Sequence, residues 1–415
     1  MCFLLSLIRD ALWSLPTVGI LTGTGIYFTF KSRFYPIRKF FYILKSVKGE
    51  EKADGISPLK GLMTSLGGTV GVGSITGVAF AISEGGRGAL FWMWISSFFC
   101  MMLKYAENYV TVKERPASGK GSAAVLLKSL GKGRTAVFFA TAGILASFGS
   151  GNMAQASAFS AAAREVGISP TAAGIIFAVL LIPAVAGGQK IIAKINAFLV
   201  PVAGVIFLSA VTGILIFRFT ALPQAFSDIF RSALGIRQAG AGITGAAIAT
   251  AMKTGVSKGV FSHEAGMGSS PIAHAATATT PEKAGSFGII EVFADTFLVS
   301  TLTALALIVS GSESAEEMFF VHFGTFGGII LALSVGIFAY AAVISWCFYS
   351  ESCTEYLFGS KRVPRYLYRI TVIISAFSGC IWSADAVWQT ADIFNALMLF
   401  PNLYAVILKR KEILF

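Results

Sequence analysis

The chain has 415 residues, of which 55% are hydrophobic and only 13% charged, with a mean hydropathy of +0.73. Soluble domains carry roughly 25% charged residues, so a water-soluble domain is excluded and an integral membrane protein is expected. The net charge of +12 would suit a nucleic-acid surface, but it collects in a few short loops, which is the signature of membrane topology.

In chain order, residues 1–10 lack both a basic start and a small-residue cleavage site, so they read as an interfacial helix rather than a signal peptide. Apolar runs of about 20 residues, the length that spans a bilayer, then fall at 12–30, 59–84, 88–112, 135–163, 171–187, 190–217, 240–277, 284–311, 325–349, 366–382 and 386–408. The second run is interrupted by Gly67-Gly-Thr-Val-Gly-Val-Gly-Ser74. The seventh is too long for one straight helix and contains Gly259-Val-Phe-Ser-His-Glu-Ala-Gly-Met-Gly268-Ser-Ser-Pro271. The glycines of 67–77, taken alone, also fit a close-packing helix face. Close packing does not explain Glu264 or Pro271 in the seventh run. The five cysteines are scattered without metal-type spacing and read as apolar filler.

The loops test the count of eleven. Loop 31–58 carries Lys31, Arg33, Arg38, Lys39, Lys45, Lys48 and Lys52, and loop 113–134 carries Lys113, Arg115, Lys120, Lys128, Lys132 and Arg134. Lys190, Lys194, Lys361, Arg362, Arg365 and the tail Lys409-Arg-Lys411 fall on the same side if there are eleven spans. The other side has Glu313, Glu316 and Glu317 and a few arginines in 218–237. Positive charge stays in the cytoplasm, so the N-terminus is expected outside and the C-terminus inside a bacterial inner or plasma membrane. Residues 1–58 then form a leading segment and 218–239 an outer connector. Two repeats of five spans follow, at 59–217 and 240–408, with a cytoplasmic tail at 409–415. An odd number of spans per repeat inverts one half against the other. Each half opens on a broken helix, and that pairing points to the binding site of a secondary transporter.

A helix unwound in lipid exposes N–H and C=O groups, each costing several kcal/mol if unpaired. It persists only where those groups line a cavity and meet a ligand. Half-helix N-termini suit an anion such as a carboxylate, while C-termini and freed carbonyls suit an ammonium or a small cation. A pair of breaks can therefore hold a zwitterion beside a coupling ion, and an amino acid with sodium is the natural candidate.

Several blocks sharpen this reading. They are Val70-Gly-Val-Gly-Ser-Ile-Thr-Gly-Val-Ala79, Gly88-Ala-Leu-Phe-Trp-Met-Trp94, Gly151-Asn-Met-Ala-Gln155, Gly259-Val-Phe-Ser-His-Glu-Ala-Gly-Met-Gly-Ser269, Glu351-Ser-Cys-Thr-Glu-Tyr-Leu-Phe-Gly359 and Phe394-Asn-Ala-Leu-Met398. Through them the chain resembles, over about 12–408, the alanine or glycine:cation symporter family, also called sodium:alanine symporters. The resemblance implies an all-α membrane protein with a LeuT-like five-plus-five inverted repeat. It also implies uptake of a small neutral amino acid driven by sodium, with no enzyme activity and no organic cofactor. Gly71, Gly73, Ser74, Gln155, Phe261, Ser262 and Trp346 are the expected substrate contacts. Gly67, Thr69, Val70 and Ser345 are the candidate cation ligands, and His263, Glu264, Gly266 and Gly268 support the second break. A helix-to-helix hydrogen bond is the alternative for Gln155.

The chain departs from the family at three places. The usual Gly-Thr-Gly-Asn of the first break is Gly71-Val-Gly-Ser74, hydroxyls usual in the ninth span are methyls at Ala341 and Ala342, and the usual Asn beside Glu264 is His263. Altered coupling follows as an open alternative, with a proton replacing sodium through His263, or a sensor that binds without transporting. Lys190 and Lys194 lie near the cytoplasmic end of the sixth span, so a lysine standing in for the cation is not evident there. Glu291 and Asp295, four apart on a helix face, are not expected to be charged together. Asp295 fits a structural hydrogen bond or ion passage, and Lys104 and Glu107 read as an ion pair near the cytoplasmic end.

Overall fold

The structure, a computed structural model, describes residues 2–47, 56–117, 119–235 and 244–415. Lys48, Lys52, residues 236–239 of the expected connector and 240–243 of the second repeat lie outside the described residues. The elements that position the site are helices: α1 (Cys2–Leu12), α2 (Leu15–Lys31), α3 (Pro58–Thr69), α4 (Thr76–Gly85), α5 (Ala89–Lys113) and α6 (Gly133–Arg164). After them come α7 (Pro170–Phe217), α8 (Leu222–Ala233), α9 (Thr244–His263), α10 (Ser270–Ala275), α11 (Pro281–Ser310), α12 (Ala315–Phe358), α13 (Arg362–Ile381) and α14 (Ala384–Leu408).

Local chemistry sets many of the ends. Ser57, Ser169 and Thr280 accept N-cap bonds from the third residue on, each with a proline at the first helical position, where the missing N–H is harmless. Serine hydroxyls at 122 and 314 cap two more starts. Within α7, Gly188 adopts φ 70° and ψ −171° and divides the element between the two runs expected at 171–187 and 190–217. An unbroken helix of 48 residues would measure about 72 Å, more than twice the ~30 Å hydrocarbon layer. Gly324, at φ 57°, kinks α12 at the start of the run expected at 325–349.

Among the described residues, by length and composition seven helices can cross a membrane, or eight with the bent pair α3–α4 counted as one span. That is fewer than the eleven expected. The difference lies in α7, which counts once despite its kink, and in α9 and α13, whose charged and small polar residues keep them below that apolarity. Both expected breaks are present. The first bends the chain by 50° between α3 and α4, and the second separates α9 from α10.

The halves of the two broken helices pack crosswise, α4 on α9 and α3 on α10. The first half of each thus lies beside the second half of the other, as an inverted pair requires. α5 lies against α2, α9 and α11, while α12 faces α3, α6 and α7. Large apolar side chains such as Phe41, Phe198, Ile216 and Val363 face outward. Lys104, Glu107, Gln155, Asn196, Glu264, Glu291 and Asp295 are buried. Apolar exterior and polar interior are the distribution a lipid solvent imposes.

The basic loops meet at one end. Lys31 donates to the carbonyl of Arg410, Lys409 pairs with Glu114 at 3.2 Å, Lys113 with Glu412 at 3.4 Å, and Arg365 with Glu351 at 3.3 Å.

Candidate functional site

The first break is three residues of 3-10 helix, Val72–Ser74, after an extended Gly71. Gln155 faces it from α6, accepting from the Val72 N–H at 3.3 Å while its amide donates to the Ser150 carbonyl at 3.0 Å. Glycine is needed here by space. A Cβ on Gly71 would lie 3.0 Å from Gln155 Oε1 and 3.5 Å from the Ala342 methyl, and one on Gly73 would lie 3.2 Å from the Phe261 ring. Gln155 follows a π-helical segment, Ser147–Met153. Such bulges re-aim side chains at functional sites.

At the second break Glu264 has φ 55°, and Gly266 and Gly268 follow at φ 87° and 75°. A left-handed glutamate persists only where its surroundings hold it. Here Trp346 Nε1 donates to Glu264 Oε1 at 2.8 Å and Ser269 Oγ to Oε2 at 2.6 Å. Trp346 also lies against Gly151, where a Cβ would sit 2.4 Å from its ring, so it braces the break rather than standing free. His263 Nδ1 accepts from the Ala265 N–H at 3.0 Å, which leaves the ring hydrogen on Nε2, the tautomer of a neutral imidazole.

One face of α5 serves this break from both sides. Lys104 Nζ donates to the His263 carbonyl at 2.5 Å, where α9 ends. Glu107 Oε2 accepts from the Gly268 N–H at 3.2 Å and from Asn402 at 2.6 Å. Asn402 also donates to the Gly266 carbonyl at 2.8 Å. Cation at a C-terminal helix end and anion near an N-terminal one complement the two dipoles. The expected Lys104–Glu107 pair is therefore corrected: the two residues straddle the break, and Lys104 pairs with Glu291 at 3.1 Å.

Asp295 joins the two breaks. Its Oδ1 accepts from Ser74 of the first and from Ser262 of the second, the latter at 2.7 Å, and its Oδ2 accepts from Thr296 at 3.0 Å. Ser74 and Ser262 lie 3.1 Å apart. Asp295 sits in a π-helical segment, Phe293–Ser300. Glu291 has partners of its own in Lys104 and in His274, at 2.6 Å.

Among the expected cation ligands, Thr69 donates to the Ser65 carbonyl at 2.8 Å and receives Lys104 at 3.3 Å. Ser345 Oγ lies 2.7 Å from the Thr64 carbonyl, 2.8 Å from that of Ala341, and accepts from Asn196 at 2.8 Å. A Cβ on Gly67 would meet Ser345 at 3.0 Å and Asn196 at 3.1 Å. Val70 is buried at the end of α3, with its N–H on the Leu66 carbonyl at 2.6 Å. The structure thus brings Ser74, Ser262, Phe261, Gly71, Gly73 and Gln155 to one place, and groups Gly67 and Ser345 with Asn196 at another.

Phe261 leads outward. Its ring lies 4.9 Å from that of Trp388, which lies 5.3 Å from Phe80. Trp388 and Phe80 line a cavity of about 550 Å³ that also meets Arg164, Glu165 and Glu316. Beside it, Lys258 and Asp392 form a buried ion pair at 2.8 Å, with the ammonium 5.6 Å from the Trp388 ring.

Two crosswise broken helices enclosing paired hydroxyls, a carboxylate and an amide, in an apolar-faced bundle, define a secondary transporter of the LeuT-like fold. The backbone superposes on MhsT, solved in complex with L-phenylalanine, with TM-score 0.62 and 15% identity, over 87% of this chain and 90% of that one. The sodium:alanine symporter family matches residues 2–414, and the chain belongs to it. It is 37% identical to the sodium/alanine symporter AgcS of Methanococcus maripaludis, over 98% of this chain and 94% of that protein. It is 32% identical to GlnT of Bacillus subtilis, described as a probable sodium/glutamine symporter, over 98% and 87%. The class is a multi-pass, sodium-coupled amino-acid symporter and not an enzyme.

Proposed function

We propose that this chain imports a small neutral amino acid, alanine or glycine, with sodium, by alternating access of one repeat against the other. The observation that carries this is the convergence of Ser74, Ser262 and Asp295, one hydroxyl from each break on a shared carboxylate. Sodium is a hard cation that takes oxygen ligands, and this cluster offers three with a compensating charge. It is a better sodium site than Thr69, which already faces the Lys104 ammonium, or Ser345, whose partners are two carbonyls and an amide. The substrate carboxylate would meet the N–H groups of the first break beside Gln155, and the walls at Gly71, Gly73, Phe261 and Ala342 favour a side chain no larger than a methyl. The 37% identity to a sodium/alanine symporter supports the same substrate.

The neutral tautomer of His263 favours sodium over a proton carried by that ring. We further infer eleven spans, repeats at 59–217 and 240–408, and a cytoplasmic C-terminus. The meeting of the basic loops at one end supports that orientation. Asp295→Asn tests the ion site. Loss of a charged partner is worth about 1.5–3 kcal/mol, so half-saturating sodium should rise roughly ten- to hundredfold. Sodium activation of labelled alanine uptake equal to that of wild type would remove Asp295 from the site.

A further inference from the structure

Lys104 is fully buried, as is its partner Glu291. An ammonium has three N–H donors, and each has an acceptor: Thr69 Oγ1 at 3.3 Å, the His263 carbonyl at 2.5 Å and Glu291 Oε2 at 3.1 Å. Thr69 is the last residue of α3 and His263 the last of α9. The charge thus stands where the C-terminal ends of two half-helices meet, each carrying roughly half a negative charge. A hydroxyl, a freed backbone carbonyl and a carboxylate are also the oxygens a small monovalent cation takes.

The ammonium is fixed in place. Thr69 directs its own hydrogen to Ser65, so toward Lys104 it acts as an acceptor. Glu291 is held on its other oxygen by His274 at 2.6 Å, and Ser270 lies 2.6 Å from the oxygen that meets Lys104. Without a cation, two negative helix ends and a carboxylate would share one dry site.

We propose that Lys104 is a resident cation of the transport site. Its ammonium joins the ends of α3 and α9 in place of a bound ion, so this chain carries one fewer mobile cation than the same site would with a neutral residue. The inference rests on the reading of the chain as a sodium-coupled symporter. Its counterpart is a buried ion pair with a structural role alone, as such pairs often have.

The experiment compares purified full-length wild type with Lys104→Ala, which keeps Thr69, His263 and Glu291 as ligands. Thermal unfolding is followed in sodium chloride against choline chloride, and the ratio of sodium to alanine flux is measured in proteoliposomes. A cation that binds only the folded state stabilises it. The variant's Tm should therefore rise with sodium much more than that of wild type, and its flux ratio should rise by about one sodium per alanine. A folded variant with wild-type flux ratio and no added sodium stabilisation overturns the proposal.

Should Lys104→Ala not fold in any salt, the neutral pair Lys104→Met with Glu291→Gln decides. The proposal expects this pair to fold yet lose uptake at every sodium concentration, whereas uptake with wild-type sodium dependence overturns it. The Tm comparison needs no transport. A wild type without sodium-driven uptake would therefore fail the functional reading while the sodium stabilisation of Lys104→Ala still tests the resident cation.

Discussion

Asp295 receives a serine hydroxyl from each break, while Gln155 touches only the first. In the proposed function this division gives Asp295 to the ion and Gln155 to the substrate. Gln155→Ala leaves the buried Val72 N–H without its side-chain acceptor, an omission worth about 1–3 kcal/mol. The Michaelis constant for alanine should then rise roughly five- to hundredfold with half-saturating sodium little changed, as initial rates of uptake at varied alanine and sodium will show. The methyls of Ala341 and Ala342 are fully buried, and Ala342 faces Gly71. Threonine at both positions should lower half-saturating sodium, and an unchanged sodium titration of that double variant would show that these methyls are not missing ligands. The serines at 74 and 262 were legible as site residues because Ser74 falls inside the first break and Ser262 in the motif that leads into the second. Lys104 was not, since it lies three positions before Glu107, and an i,i+3 spacing reads first as a pair. Its true partner lies on α11, a contact that only the packing of α5 on α11 creates.

Among the elements, the second break has the tightest requirements. Gly268 has φ 75°, and a Cβ there would come within 2.6 Å of Asn402 Oδ1. Gly268→Ala combines a left-handed residue, about 1–3 kcal/mol, with displacement of the amide that holds Glu107 and the Gly266 carbonyl. The variant should therefore lose several degrees of Tm and most of its uptake. Wild-type Tm in a thermal-shift assay would show that α14 can move away freely. Both breaks and the division of α7 at Gly188 could be read from glycine, proline and charge, because a membrane helix seldom carries these without cause. The π-helical segments at Ser147–Met153 and Phe293–Ser300 were not legible, since the small and polar residues they hold, Gly149, Gly151 and Asp295 among them, also fit a close-packed membrane helix. The first packs against α13 and α14 and the second against α5 and α9.

At the scale of the molecule, the two breaks lie behind a layer formed by Phe261, Trp388 and Phe80, beneath the cavity at the end that carries Glu316. Lys258 and Asp392 tie α9 to α14 beside that layer. Removing one charge of a buried pair costs about 3–5 kcal/mol, whereas removing both is often neutral. Asp392→Asn should thus lower Tm markedly, and adding Lys258→Met should restore most of it. Equal destabilisation by the single and double variants would deny the pair this role. Whole-chain hydropathy made the membrane class legible, since it follows from composition rather than from contacts. The layer over the site was not, because Trp388 sits on the last span and reaches Phe261 and Phe80 only in the folded bundle. The central claim, sodium-coupled import of a small amino acid, is tested most directly by accumulation of labelled alanine and glycine in proteoliposomes under an inward sodium gradient or an inward proton gradient. The account predicts concentrative uptake with the sodium gradient and none with the proton gradient alone. Accumulation driven only by protons, or binding without accumulation under either gradient, would contradict it.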